Sequence, residues 1–164
     1  MARSLGPRLP AALIERLSQR DLAARLGVAL PFVTVDGGGR PHAMLLSYLE
    51  LRAYDSGTIG LVVQARSTSA RNLAERETGT LLIIEPDSVV YVKMRAVDGP
   101  LDVSGADELG YFLLVVEEVL EDAAANWESG MRITGAPTYA PAPSLQTSWA
   151  RATLAALASP RARA

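Results

Sequence analysis

Six residues, Asp36-Gly37-Gly38-Gly39-Arg40-Pro41, separate two runs with strand character, Val28 to Val35 and His42 to Leu51. A glycine-rich turn between such runs closes an antiparallel hairpin. Three glycines in a row also suit a phosphate loop. No helical pattern and no Lys-Ser/Thr pair follows them, so the hairpin is the stronger reading. In the return run, alternation places His42, Met44, Leu46 and Tyr48 on one face and Ala43, Leu45, Ser47 and Leu49 on the other.

The same grammar continues along the chain. Thr58 to Ala65 reads as a strand, and Ser67 to Glu77 as a short helix that Gly79 ends. Thr80 to Ile84 is apolar enough for a central strand. After the turn at Glu85 to Ser88, Val89 to Val97 alternates, with Tyr91, Lys93 and Arg95 on one face. Asp98-Gly99-Pro100 reads as a turn, Leu101 to Val103 as a short strand, and Gly105 to Gly110 as a loop. Tyr111 to Asp122 fits either a helix or a strand; its aromatic and β-branched first half favours the strand. Ala123 to Gly130 reads as a short helix or turn, and Ala136 to Pro143 as irregular.

Helices are expected at both ends. Leu13, Ile14, Leu17, Leu22 and Leu26 recur at helical spacing within 9–26, with a break at Ser18–Asp21. Ser144 is expected to cap a final helix over 144–158, leaving 159–164 as a flexible tail. Strands joined by tight turns, with one helix between them, predict a mainly β, antiparallel sheet that curls into a barrel. The 164 residues fit one domain, expected over 1–158.

Composition narrows the chemistry. No cysteine is present, which removes thiol nucleophiles and cysteine metal sites and agrees with a reducing, cytoplasmic location. His42 is the only histidine, so a histidine-built metal centre is not expected. A net charge of −2 gives no footprint for nucleic acid. Met1 to Pro10 has arginines but no apolar core, so a signal peptide is not expected, and no apolar run approaches the ~20 residues a membrane span needs.

The segment richest in chemistry is Gln64-Ala65-Arg66-Ser67-Thr68-Ser69-Ala70-Arg71-Asn72-Leu73. It ends a strand and opens a helix, where unpaired amides and a partial positive charge gather. Three hydroxyls and two arginines at such a point suit a phosphate. Ordinary helix capping also accounts for the hydroxyls, and on pattern alone it is the stronger reading. Ser47, among apolar neighbours, needs a partner from backbone or ligand. Lys93, Arg95 and Tyr91 make either a solvated face or a cationic wall for an anion or a second subunit.

The hairpin from Val33-Thr34-Val35-Asp36 to Gly39-Arg40-Pro41-His42, then Ser67 through Asn72-Leu73-Ala74-Glu75, then an apolar strand, resembles the pyridoxamine-phosphate-oxidase-like, flavin-binding split-barrel family. The likeness runs from about Leu9 to Val97 in order and spacing. It implies a six-stranded split barrel, a homodimer, and FMN at the dimer interface. It also implies that the strand from His42 to Ser47 runs along the flavin ring. Phosphate contacts are then expected from Arg66, Ser67, Ser69 and Arg71, with Gln64, Thr68 and Asn72 beside them; Ser47 and Lys93 are expected near the ring.

Oxidases of pyridoxamine phosphate itself carry arginine where His42 stands, lysine where Ser47 stands, and an arginine–lysine pair near Thr68-Ser69. These departures count against that substrate. The resemblance therefore implies an FMN-dependent oxidoreductase of unassigned substrate, with no general acid or base named. It leaves two neighbouring alternatives: a flavin- or haem-binding sensor without catalysis, and a deazaflavin-dependent reductase. A barrel that has lost its cofactor is the third.

Overall fold

The computed structural model describes residues 2–124, 128, 130 and 132–164. The chain runs β1 (Arg3–Gly6), α1 (Ala11–Arg16), α2 (Leu22–Arg25), β2 (Ala29–Val35) and β3 (Pro41–Ser47). A 3-10 turn (Tyr48–Glu50) follows, then β4 (Leu51–Ala53), β5 (Thr58–Gln64), α3 (Thr68–Arg76) and β6 (Thr78–Glu85). Last come β7 (Ser88–Asp102), β8 (Leu109–Ala123) and α4 (Ser148–Ala156). No described helix is long and apolar enough to cross a membrane.

All strand pairs are antiparallel, in the order β3-β2-β6-β7-β8-β5-β4, with β1 added beside β8. Six strands are long and two, β1 and β4, are short. The sheet curls around one apolar interior, while β3 remains a free edge among the described residues. Phe32, Leu46, Leu51, Ile59, Leu61, Leu81, Val92, Phe112 and Leu114 fill that interior. Strand β5 is buried on both faces: Ile59, Leu61 and Val63 face the barrel, and Val62 packs outward with Tyr111, Ala156 and Leu157. The outward cluster is the seat of α4.

Several expected boundaries move. The N-terminal helical segment splits into α1 and α2, and Gln19 between them takes a left-handed φ of 66°. Its side-chain amide reaches the carbonyls of Leu49 and Leu51 at 3.0 and 3.1 Å. The run from His42 to Leu51 is not one strand. Ser47 and Glu50 bond to each other and turn the chain, so β3 ends at Ser47 and β4 begins at Leu51.

Glu77, not Gly79, terminates α3, in the left-handed conformation with φ 60°. Gly79 instead lies in β6 under the Phe32 ring, where an added Cβ would come within 2.4 Å of it. The sequence Asp98-Gly99-Pro100 does not separate two strands. Gly99-Pro100 forms a bulge within β7, with a second at Val97 just before it, and the strand continues to Asp102 against β8. Thr147 rather than Ser144 caps the last helix, its hydroxyl accepting from the Ala150 amide at 3.3 Å. The short helix or turn expected over 123–130, with Trp127, falls largely outside the described residues.

Residues after α4 lie along the β7 bulges. The Arg161 amide donates to the Tyr111 hydroxyl at 3.1 Å, and its guanidinium donates to the Asp102 carbonyl at 2.9 Å. Arg163 bonds Asp98 through its amide and the Pro100 carbonyl through its guanidinium.

Candidate functional site

The end of β5 hands the chain to α3 through Ala65, Arg66 and Ser67. The Ala65 amide bonds the Glu108 carbonyl at 2.8 Å, which fixes the exit of β5 against the start of β8. The Ser67 amide then bonds the Gln64 carbonyl at 3.0 Å, turning the chain. Ser67 is the N-cap: its hydroxyl accepts from the Ala70 amide at 3.1 Å and its carbonyl from the Arg71 amide at 3.1 Å. Capping thus explains one of the three hydroxyls.

Thr68 and Ser69 are left over. Their amides and side chains have no protein partner among the described residues. Ser69 is only 2% exposed. Its hydroxyl is not among the fully enclosed atoms that lack a partner, so it stays accessible at the surface of the turn. Arg66 and Arg71 are exposed, and neither forms an ion pair among the described residues. The turn therefore collects two uncommitted amides, two uncommitted hydroxyls, two free guanidinium groups and the positive end of a nine-residue helix.

A cleft of about 340 Å³ adjoins it, lined by Gln64, Arg66, Asp107 and Glu108. Its two carboxylates repel an anion from one wall, so an anion is favoured at the α3 side. Directed donors and the helix end act there at hydrogen-bond range, whereas exposed carboxylates act through screening solvent.

The other expected residues sit elsewhere. Asn72 is 2% exposed, and its amide donates inward to the Thr34 hydroxyl at 2.9 Å. Ser47 is 1% exposed, and its hydroxyl donates to Glu50 at 2.9 Å. Its partner is therefore a side chain of its own turn. Lys93 projects from the outer face of β7 and pairs with Glu118 at 2.7 Å, next to Arg95 with Glu117 at 2.9 Å. Neither Ser47 nor Lys93 bonds the α3 turn.

Burial pushes the Glu50 carboxyl above its ordinary value of 4.5, against the opposing pull of the Ser47 amide and hydroxyl. The folded protein therefore binds this proton at a higher pH than the unfolded chain does. Stability from this group rises as pH falls through the folded value and levels off below the unfolded one. From pH 7 to 5, wild-type melting temperature is expected to rise relative to that of Glu50→Gln. Parallel pH profiles of the two would refute the burial argument.

No protein-family model matches the chain, and no curated protein matches it in sequence. Solved structures do. A candidate pyridoxamine 5'-phosphate oxidase from Lactobacillus delbrueckii aligns at TM-score 0.52 and 14% identity, over 71% of this chain and 98% of that one. An FMN-binding protein from Syntrophomonas wolfei aligns at 0.52 and 13%, over 70% and 92%. HupZ of Group A Streptococcus aligns at 0.53 and 12%, over 72% and 100%.

The chain has the split-barrel fold.

In this split barrel, Gln64 through Arg71 form one contiguous corner, and Asn72 anchors it from inside. Sequence reasoning overlooked Thr34, Glu50, Asp107 and Glu108. Thr34 carried a signal: it continues the inward-facing series Leu30, Phe32 on β2, where a threonine needs a partner. The two acids opposite Arg66 meet the corner only through the β5–β8 pairing, which local patterning does not encode.

Proposed function

We propose that this split barrel binds FMN by its phosphate at the start of α3 and acts as an FMN-dependent oxidoreductase, working as a homodimer. The observation that carries the reading is the first turn of α3: the amides and hydroxyls of Thr68 and Ser69 have no protein partner among the described residues, and Arg66 and Arg71 beside them form no ion pair there. A phosphate ester supplies acceptors for all of them. The description of the Syntrophomonas wolfei structure as an FMN-binding protein supports the choice of ester.

Arg66 and Arg71 would bind and orient the phosphate, with the amides of Thr68 and Ser69 as fixed donors. Bound FMN supplies hydride or electron transfer; the protein supplies binding, orientation and electrostatics. A second reading, a flavin carrier or sensor without turnover, is favoured by one finding. Ser47 and Lys93, the side chains expected at the ring, are engaged by Glu50 and Glu118. Anaerobic addition of reduced nicotinamide to the FMN-loaded protein separates the readings. Loss of the flavin's visible absorbance supports the oxidoreductase, and persistent oxidised flavin supports the carrier.

The outer face of the sheet supports the dimer. Leu45 lies opposite Pro31, Leu82 opposite Tyr91, and Tyr91 opposite Leu120, all on the side away from the barrel interior. This apolar row ends at the free edge β3, where Leu45 is 52% exposed. A second copy would cover both the row and the edge. Leu45→Glu is expected to convert a dimer to a monomer in light scattering, with weaker FMN binding. A monomeric wild type would refute the dimer.

A further inference from the structure

The buried side of α3 carries Ala70 and Leu73, with Ser69 and Asn72 as its polar residues, and of these two only Asn72 bonds another element. Asn72 donates to the Thr34 hydroxyl at 2.9 Å, and that hydroxyl donates to the His42 carbonyl at 3.3 Å. Thr34 is 0% exposed, and it lies opposite His42 across the β2–β3 pair. One short chain of hydrogen bonds therefore joins three elements: α3, β2 and the edge strand β3.

An apolar pair of the same shape would hold a helix on a sheet about as well. What it would not do is fix one rotation and one depth, because apolar contacts are non-directional. A buried amide is satisfied in one orientation only, and its misplacement leaves a polar group unpaired. Asn72 directly follows Arg71 and lies on the turn after Thr68 and Ser69. Its orientation therefore sets where those amides and the Arg71 stem point.

We propose that Asn72 and Thr34 are positioning residues that lock the start of α3 in register with β3, so that the phosphate cradle keeps its geometry. This inference rests on the FMN reading above. It assigns Asn72 a role inside the wall, where its side-chain nitrogen already bonds Thr34, in place of direct contact with the phosphate. It also gives Thr34 a role.

The test compares FMN with riboflavin, which lacks only the phosphate. Dissociation constants for both are measured by flavin fluorescence, together with melting temperature, in wild type, Thr34→Val, Thr34→Ser and Asn72→Leu/Thr34→Val. The ratio of the two affinities isolates the phosphate's contribution from the stability of the barrel. The ratio is expected to fall about tenfold or more in Thr34→Val and in the double variant, the loss of roughly one charge-assisted bond. Thr34→Ser, which keeps the hydroxyl, is expected to retain the ratio. The double variant removes both polar groups together and so avoids an unpaired buried amide; it carries the test if Thr34→Val folds poorly. An unchanged ratio in the double variant would overturn the inference while leaving FMN binding intact. A wild type that does not prefer FMN over riboflavin would overturn both.

Discussion

Replacing Arg66 and Arg71 together by alanine is expected to weaken FMN binding by about 10²–10⁴-fold. Two charge-assisted hydrogen bonds contribute about 1.5–3 kcal/mol each, and about 1.4 kcal/mol is tenfold in affinity. The melting temperature of the unliganded protein should change by less than about 2 °C, because both side chains are exposed and neither is paired. This combination is the signature of a site, since residues that support the fold would move both quantities. Wild-type affinity should also fall as salt rises, and less steeply in the double variant. Isothermal titration at two ionic strengths measures both effects. FMN affinity in the double variant within about threefold of wild type would exclude these arginines as phosphate contacts.

The largest stability effect is expected at Gly99. Its φ is +122°, and an added Cβ would lie 2.7 Å from the Tyr111 carbonyl oxygen and 2.9 Å from the Phe112 Cα. Those are backbone atoms of β8, which is paired on both sides and cannot retreat. Gly99→Ala thus combines an unfavourable backbone conformation with overpacking, about 4 kcal/mol in total. At roughly 2–4 °C per kcal/mol for a chain of this size, the melting temperature should drop by about 8–16 °C. Gly105 supplies the control. Its φ is +81° with nothing within 4 Å of the added Cβ, so Gly105→Ala should lose only the backbone preference, about 1 kcal/mol. Equal losses at the two positions in thermal melts would show that the approach of β8 is not what demands glycine at 99.

The contrast between these residues explains what could be read from the sequence. The hairpin at Asp36–Pro41, the strand Thr58–Gln64 and the helix from Thr68 were legible because each depends on its own neighbours: turn glycines, alternation and an N-cap serine. Gly99 was misread for the same reason. Asp-Gly-Pro is a local turn signal, but here β8 pairs through it, and a long-range ladder overrides local preference. Strand β1 was invisible because Leu5 is its one large apolar residue, and its order comes from pairing with β8. Glu77 ends α3 ahead of the expected Gly79 because β6 needs a residue without a side chain beneath Phe32.

The site divides along the same line. Arg66 through Arg71 are consecutive, so their convergence on one corner follows from a strand leading into a helix. Ser47 and Lys93 were ligand candidates from strand patterning and were placed at the flavin ring by resemblance; their actual partners, Glu50 and Glu118, come from a tight turn and a cross-strand register. Asn72 stood within the motif, yet its direction is set by Thr34, which is 38 residues away.

A titration of FMN into the wild-type protein, repeated with inorganic phosphate as competitor, tests the α3 cradle most directly. Saturable binding at one FMN per protomer, weakened by phosphate, is the expected result. Binding that phosphate does not affect, or no saturable binding at all, would contradict a phosphate-ester site at Arg66–Arg71.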